Sequence, residues 1–195
     1  MNLRTGVLNL PNILTLARVA AVPVVLVLLL SDSRKSGVWA AAIFGIAAVT
    51  DFVDGWLARK WGIVTVLGKF LDPLADKLIV MVALIMLIPL DRVPAWAVFI
   101  ILAREMVVTG LRSIASSEGI VIDASELGKY KTIYQMIAIP GLMLHYDFNW
   151  LFGLDWGIFQ VNMHNFGIFF FYIAFALTLW SGYDYMQKFF RVFAR

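Results

Sequence analysis

The chain has 195 residues, of which 62% are hydrophobic and 15% are charged, and its mean hydropathy is +0.85. Because soluble domains are roughly half apolar and a quarter charged, this composition excludes an ordinary soluble domain and indicates an integral membrane protein. The absence of cysteine excludes disulfides and thiolate metal sites, and the small net charge of +3 gives no reason to expect a nucleic-acid partner.

The apolar residues fall into stretches long enough to cross a membrane. A spanning helix needs about 20 mostly apolar residues, and polar or turn-forming segments separate the stretches that meet this requirement. The six predicted spans cover 11–30, 38–59, 68–90, 94–116, 128–147 and 164–186. We therefore predict an all-α, polytopic membrane protein with six transmembrane helices, and a single domain over residues 1–195.

The segments outside the spans have their own patterns. MNLRTGVLNL, before the first span, is amphipathic and is expected to lie on the membrane surface. We interpret the first span as an uncleaved helix, because Arg18 interrupts it and SDSRKS has no small-x-small cleavage site. The aromatic segment 145–165, with His145 and His164, is predicted to be an interfacial loop on the outer side, away from any chemistry.

Lysine and arginine set the expected orientation, because they accumulate in the cytoplasmic loops of membrane proteins. An even number of spans puts both termini on one side. That side would hold Arg4, Arg59, Lys60, Lys69, Arg112, Lys129, Lys131, Lys188, Arg191 and Arg195. The other side would hold only Arg34, Lys35 and Arg92, while Arg18, Lys77 and Arg104 fall within spans. Both termini are therefore expected to face the cytoplasm, and Arg18 is expected either to snorkel or to pair with a carboxylate.

Four aspartates stand close together in the stretch DFVDGWLARKWGIVTVLGKFLDPLADK. They are Asp51 and Asp54 on the second span, and Asp72 and Asp76 on the third. Each pair shares a helix face, at i, i+3 or i, i+4. Asp51 and Asp76 lie at similar distances from the cytoplasmic ends of two antiparallel helices, about 12 Å at 1.5 Å per residue. All four carboxylates should therefore meet near the cytoplasmic surface.

Such a cluster needs compensating positive charge, since four close carboxylates cannot all stay ionised unaided. Oxygen ligands without histidine or cysteine favour Mg²⁺, Mn²⁺ or Ca²⁺, and two such ions suit phosphoryl transfer. Structural salt bridges and the ion pathway of a transporter are the alternatives. Gly55 and Ala58 are consistent with helix packing as well as with ligand contact, and Gly68 with a turn as well as with a pocket wall.

The spacing D-x2-D-G-x2-A-R-x8-G-x3-D-x3-D, from Asp51 to Asp76, matches every fixed position in the signature of the CDP-alcohol phosphotransferase family. The resemblance extends over the whole chain, and LPNILTLARVAAVP, REMVVTGLR and GKYKT resemble the branch that makes phosphatidylglycerophosphate in bacteria. It implies an enzyme that transfers the phosphatidyl group from CDP-diacylglycerol to sn-glycerol 3-phosphate and releases CMP. Other members use inositol or its phosphate, serine, choline or phosphatidylglycerol, so the acceptor stays open at this point.

The resemblance also implies roles for individual residues. Asp51, Asp54 and Asp72 would hold two ions, Mg²⁺ or Mn²⁺, with Asp72 shared, and Asp76 would complete the metal site and act as general base on the acceptor hydroxyl. The nucleotide would lie near Asn12, Thr15, Gly55, Ala58, Arg59 and Gly68. The protein would be a homodimer in the cytoplasmic membrane of a bacterium, with its active site facing the cytoplasm. A lipid donor further calls for an apolar groove between helices.

Cations outside the motif help to indicate which acceptor the enzyme would use. Arg104 and Arg112 are two turns apart on the fourth span and share a face, and Lys129 and Lys131 open the fifth span. If these side chains converge they form a phosphate site, which favours a phosphorylated polyol. Positive-inside anchoring is the alternative, although Arg104 lies too deep in its span for that reading. We expect Glu105 to point away from the face that carries Arg104.

Overall fold

In the computed structural model, the described residues are 10–61, 66–120, 122, 126–148 and 161–193. Side chains are described for these residues except 10, 11, 52–61, 66–70, 72, 73, 147, 148 and 161. The helices, in chain order, are α1 Leu10–Leu29, α2 Arg34–Trp61, α3 Val66–Leu87, α4 Ala95–Ser117, α5 Glu126–Leu144 and α6 Met163–Phe193. A short antiparallel ladder joins β1 Asp147–Phe148 to β2 Val161–Asn162. The described part is thus all-helical apart from this ladder, as predicted.

Each predicted span corresponds to one helix, and the differences are at the ends. α2 begins at Arg34, ahead of the predicted second span, which begins at residue 38, and the Ser36 N–H donates to Ser33 Oγ at 3.1 Å at its start. α6 continues past the predicted span to Phe193, and Lys188 pairs with Asp184 at 2.8 Å on its last turns. Helical hydrogen bonds continue into polar sequence when a cap or an i, i+4 pair supports them. The predicted amphipathic segment lies outside the described residues except for Leu10.

Among the described residues, two helices are long and apolar enough to cross a membrane by length and composition. They contain Asn12–Leu29, in α1, and Met163–Phe193, which is α6. The charged residues of the predicted site lie on the other four helices.

The helices pack in an order that places α1 beside α2 and α3, α2 beside α5, and α4 beside α6. The most extensive contact is between α5 and α6, and Gly141 and Gly167 lie where they cross. A Cβ atom on Gly167 would lie 2.7 Å from the Leu142 backbone nitrogen. Glycine at this position therefore lets the two backbones approach each other closely.

The apolar core lies in the half of the bundle that contains the C-terminal ends of α1, α3 and α5. Its most completely buried side chains include Leu29, Phe44, Leu87, Leu142 and Phe171. The charged residues of the predicted site lie in the other half. The apolar core and the predicted site therefore lie at different ends of the molecule.

Arg92 is the exception, because it is a charged residue buried at the core end. Its guanidinium donates to the carbonyl oxygens of Leu142, at 3.0 Å, and Met143, at 2.8 Å, near the end of α5, and it pairs with Asp32 at 2.5 Å. The last carbonyls of a helix have no partner within the helix. Arg92 donates hydrogen bonds to two of these carbonyl oxygens, so the buried side chain stabilises the fold.

Candidate active site

α1 carries three buried polar side chains, and one of them reaches α2. Asn12, Thr15 and Arg18 recur at intervals of three residues, and all three are buried. Arg18 Nη1 donates to Asp51 Oδ1 at 2.5 Å. Of the two outcomes expected for Arg18, pairing with a carboxylate is the one found, and the pair joins α1 to α2 at the first residue of the aspartate motif.

Asp51 on α2 and Asp76 on α3 are the two motif aspartates whose side chains are described, and both are partly exposed. The charged groups that act electrostatically on Asp76 are Asp51, Arg18, Lys77 and Glu105. The fold therefore brings carboxylates from two helices into one region, as the spacing predicted. The side chains of Asp54, Gly55, Ala58, Arg59, Gly68 and Asp72 lie outside the described part, although their positions fall within α2 and α3.

The described side chains include part of the predicted metal site. Within that set, no group of three or more histidine, cysteine, aspartate or glutamate side chains is placed to hold an ion. Asp51 and Asp76 do supply carboxylate oxygens, the donor type that Mg²⁺ and Mn²⁺ prefer. The described donors fit such an ion in kind, and the site of four aspartates and two ions stays a prediction.

A cavity of about 350 Å³ opens between α3, α4 and α5. Apolar side chains form most of its surface, among them Leu74, Met81, Leu102 and Met136. Asp76 lies on its wall together with six other polar residues, of which Lys77, Glu105 and Lys131 are charged. The structure thus contains an apolar cavity between helices that reaches the aspartate region, as expected for a lipid donor.

A second cavity, of about 610 Å³, lies between α4, α5 and α6. All four cations singled out in the sequence line it, Arg104, Arg112, Lys129 and Lys131, and so does Lys77. Among the described side chains on this wall, the one anionic group is Glu105. The two arginines of α4 and the two lysines of α5 therefore converge on one cavity, and whether they bind a phosphate stays a prediction.

Glu105 differs from what we expected. Its Oε1 accepts a hydrogen bond from Arg104 Nη1 at 2.8 Å and another from the Lys131 ammonium group. The expectation that Glu105 points away from Arg104 is therefore wrong. Successive side chains leave a helix about 100° apart, but arginine and glutamate are long enough to meet beyond the backbone.

The two cavities are neighbours. The residues that line both are Lys77, Glu105, Thr109, Lys131 and Thr132, and we call this set the shared wall. Lys77 Nζ donates to Thr109 Oγ1 at 2.5 Å, which ties α3 to α4 within it. A molecule in the cationic cavity would therefore contact side chains that also border the cavity containing Asp76.

α6 contributes residues to the site that we did not predict. Arg104 Nη2 donates to Ser181 Oγ at 3.0 Å, and the Arg112 guanidinium carbon lies 5.8 Å from the centre of the Tyr185 ring. The available signal was SGYDY, residues 181–185, which interrupts the apolar run of the sixth span. His145 and His164, by contrast, meet at the other end of the bundle, with their Nδ1 atoms 3.1 Å apart.

The fold and the site define a helical bundle in which paired carboxylates lie beside a cationic cavity. The family model for CDP-alcohol phosphatidyltransferases matches residues 8–180, and the chain belongs to that family. The family expected from the aspartate motif is therefore confirmed.

Curated relatives match most of the chain. It is 41% identical over 192 residues to CDP-diacylglycerol–glycerol-3-phosphate 3-phosphatidyltransferase of Bacillus subtilis (strain 168), covering 92% of this chain and 94% of the relative. A protein of the same name from Rickettsia bellii (strain RML369-C) is 38% identical over 179 residues, with the same coverage. An Arabidopsis thaliana relative, numbered 2 under that name, is 36% identical over 205 residues, with 97% of this chain and 83% of the relative covered.

Proposed function

We propose that this chain is an enzyme that transfers the phosphatidyl group from CDP-diacylglycerol to sn-glycerol 3-phosphate, giving phosphatidylglycerophosphate and CMP. Family membership and the names of the relatives support the reaction. The observation that carries the choice of acceptor is the cationic cavity and its shared wall with the Asp76 region.

The charge of that cavity favours a phosphorylated acceptor. Five cationic side chains and one carboxylate line it, and even with Lys129 paired to Glu126 at 2.8 Å an empty cavity has excess positive charge. Arg104 and Arg112 can each bind a phosphate through two N–H groups, and such charge-assisted pairs are strong. Choline is a cation and serine has no net charge, so neither would compensate the cavity as a phosphate monoester does.

The apolar cavity supports a lipid donor. The acyl chains of CDP-diacylglycerol would lie along its apolar surface or in the surrounding bilayer. Its pyrophosphate would lie toward Asp51 and Asp76, where the carboxylates of α2 and α3 come together. We assign the nucleotide to Asn12, Thr15, Gly55, Ala58, Arg59 and Gly68, of which Asn12 and Thr15 lie on the α1 face that pairs with Asp51 through Arg18.

The reaction exchanges one phosphorus–oxygen bond for another. The acceptor hydroxyl oxygen bonds to the phosphorus that carries diacylglycerol, and the bond from that phosphorus to the bridging oxygen of the pyrophosphate breaks. CMP leaves with the bridging oxygen, and the hydroxyl proton goes to Asp76. The contribution of the protein is chiefly orientation, since the shared wall holds the acceptor beside the carboxylate that takes its proton.

We further assign Asp51, Asp54, Asp72 and Asp76 to two divalent cations, Mg²⁺ or Mn²⁺. The support is the donor chemistry of the two described carboxylates and their place on facing helices. When bound, such ions neutralise charge on a reacting pyrophosphate. Arg18 holds one oxygen of Asp51, so it orients this carboxylate for its role.

The proposal includes a membrane arrangement with six spans over a single domain, residues 1–195, and an N-terminal amphipathic segment. The helices have 19 to 31 residues, enough to cross a bilayer, and exposed Trp39, Phe99, Phe169 and Trp180 suit a lipid-facing surface. The distribution of lysine and arginine supports cytoplasmic termini and a cytoplasmic active site in a bacterial inner membrane. A homodimer follows from the family resemblance.

An assay with a series of different acceptors tests this proposal. Purified protein receives CDP-diacylglycerol, Mg²⁺ and one acceptor at a time, and CMP release is measured. We expect release with sn-glycerol 3-phosphate, its loss when EDTA removes divalent cations, and its return with added Mg²⁺. Faster release with inositol phosphate or phosphatidylglycerol would favour the same chemistry with another acceptor. No release with any acceptor, from folded protein, would contradict a transferase and leave a transporter or a structural role.

A further inference from the structure

One face of α6 borders the cationic cavity through Ser181, Gly182 and Tyr185. Ser181 and Tyr185 line the cavity, and all three residues are buried. They are adjacent in sequence or one helical turn apart, so they form one patch. The patch faces Arg104 and Arg112, the two arginines that α4 contributes to the cavity.

Gly182 determines where the Arg104 side chain can lie. A Cβ atom at this position would be 2.9 Å from Arg104 Cγ and 3.1 Å from Arg104 Nε. Any larger residue would therefore displace the side chain from its present path. Because the atoms in the way belong to a side chain and not to backbone, alanine would shift the guanidinium without separating α4 from α6.

Ser181 fixes the same guanidinium from another direction. Its hydroxyl donates to the Leu177 carbonyl oxygen at 2.6 Å, so its lone pairs are left to accept from Arg104 Nη2 at 3.0 Å. Glu105 holds Arg104 Nη1 on the other side. Arg104 Nε is buried and has no hydrogen-bond partner among the described residues. The guanidinium is thus oriented by protein groups and keeps an unused donor.

Tyr185 has an unused polar atom as well. Its side chain is 3% exposed, and its hydroxyl has no hydrogen-bond partner in the described part of the chain. The Arg112 guanidinium lies over its ring, so the ring and the cation position each other. A buried hydroxyl without a partner is unfavourable unless a ligand supplies one. Because Tyr185 lines a cavity with excess positive charge, we expect that ligand to be an anion with oxygen acceptors.

We infer that α6 forms a specific wall of the acceptor site, in which Ser181 and Gly182 position Arg104 on the acceptor phosphate and the Tyr185 hydroxyl donates a hydrogen bond to the acceptor. This inference rests on the proposed function and adds to it. Ser181 and Gly182 are positioning residues, and Tyr185 is a binding residue. The ligand class is a phosphate monoester of a small polyol.

Gly182→Ala tests the positioning role. We expect the KM for sn-glycerol 3-phosphate to rise about tenfold or more, because displacement of a binding group by a fraction of an ångström to 1 Å is costly. The KM for CDP-diacylglycerol should change less than about twofold, since binding of the donor does not depend on Arg104. The matched control is Gly110→Ala on α4, where a Cβ meets nothing within 4 Å. Equal effects of the two variants, or equal changes in both KM values, would overturn the positioning role.

Tyr185→Phe tests the binding role. It removes one hydroxyl and keeps the ring beneath Arg112, so we expect the KM for sn-glycerol 3-phosphate to rise about tenfold, as for a hydrogen bond to a charged group. The thermal midpoint should stay the same or rise, because the removed group has no partner in the folded protein. A lower midpoint with an unchanged KM would show a purely structural hydroxyl and contradict the inference.

The wild-type protein separates this inference from the proposed function. If it releases CMP with sn-glycerol 3-phosphate but neither variant alters that KM, the α6 wall is overturned and the function stands. If it releases none, the thermal shift caused by inorganic phosphate decides. If inorganic phosphate raises the thermal midpoint of the wild type, and Gly182→Ala reduces this rise while Gly110→Ala preserves it, the α6 wall is supported as an anion site. If phosphate raises the midpoint of none of these proteins, both the α6 wall and the proposed function are overturned.

Discussion

At the residue scale, Glu105 joins two of the cations that line the cationic cavity. One carboxylate oxygen accepts hydrogen bonds from two cations on different helices, Arg104 and Lys131, and Lys131 is only 5% exposed. Cations buried this far need a paired anion, because removing one partner leaves an uncompensated charge in a poorly solvated place. Glu105 supplies that anion to Arg104 and Lys131.

Glu105→Gln should therefore destabilise the empty protein and strengthen its response to phosphate. We expect the free energy of unfolding to fall by about 2–4 kcal/mol. Glycerol 3-phosphate should raise the thermal midpoint of the variant more than that of wild type, because its phosphate replaces the missing anion. Thermal unfolding with and without glycerol 3-phosphate measures both effects.

The control for that experiment is Asp184→Asn, which breaks the partly exposed pair with Lys188. Such a surface pair contributes at most about 1 kcal/mol, and this one lies outside the cavity. If Glu105→Gln and the control lose the same small stability and respond equally to glycerol 3-phosphate, Glu105 has no special place in the site.

Sequence spacing predicts some of the residues of the candidate site and not others. Asp51, Asp76, Arg104 and Arg112 could be predicted because helical periodicity fixes which residues share a face. Ser181 could not, because its bond to Arg104 joins positions 77 residues apart and depends on α4 packing against α6. The prediction that Glu105 points away from Arg104 was wrong because side-chain length decides its contacts. Helical periodicity contains no information on side-chain length.

At the element scale, the crossing of α5 and α6 determines how the bundle packs. Gly141 and Gly167 let the two backbones meet, with the position of a Gly167 Cβ only 2.7 Å from a backbone nitrogen. The centres of all six helices could be predicted because long apolar stretches define them. Their ends could not, since Arg34 and Phe193 belong to helical turns with polar sequence, and the two-residue strands are too short to leave a pattern.

Gly167→Ala should destabilise the protein by about 1–3 kcal/mol, since overpacking against backbone forces the helices apart. Gly45→Ala is the matched control, because a Cβ there meets nothing within 4 Å and alanine favours the helix. Denaturant or thermal unfolding of the two variants measures the difference. Equal stabilities would mean that the α5–α6 crossing tolerates a side chain and is not limited by the glycine.

At the scale of the whole molecule, the apolar core and the charged residues of the candidate site lie at different ends of one bundle. The core end contains most of the buried apolar side chains, and Arg92, which donates to carbonyl oxygens at the end of α5. The other end contains the carboxylates and two adjoining cavities, one apolar and one cationic, that differ in the kind of substrate they can take. This division suits an enzyme that joins a lipid donor to a water-soluble, phosphorylated acceptor.

The most direct measurement of this central claim is acceptor discrimination, the ratio of kcat/KM for sn-glycerol 3-phosphate to that for glycerol, in wild type and in Arg104→Ala. We predict that wild type strongly prefers the phosphorylated acceptor and that Arg104→Ala reduces the ratio by about 10- to 100-fold, the contribution of charge-assisted hydrogen bonds. The KM for CDP-diacylglycerol should stay within about twofold of wild type. A ratio that the substitution leaves unchanged would contradict the claim that the cationic cavity selects the acceptor by its phosphate.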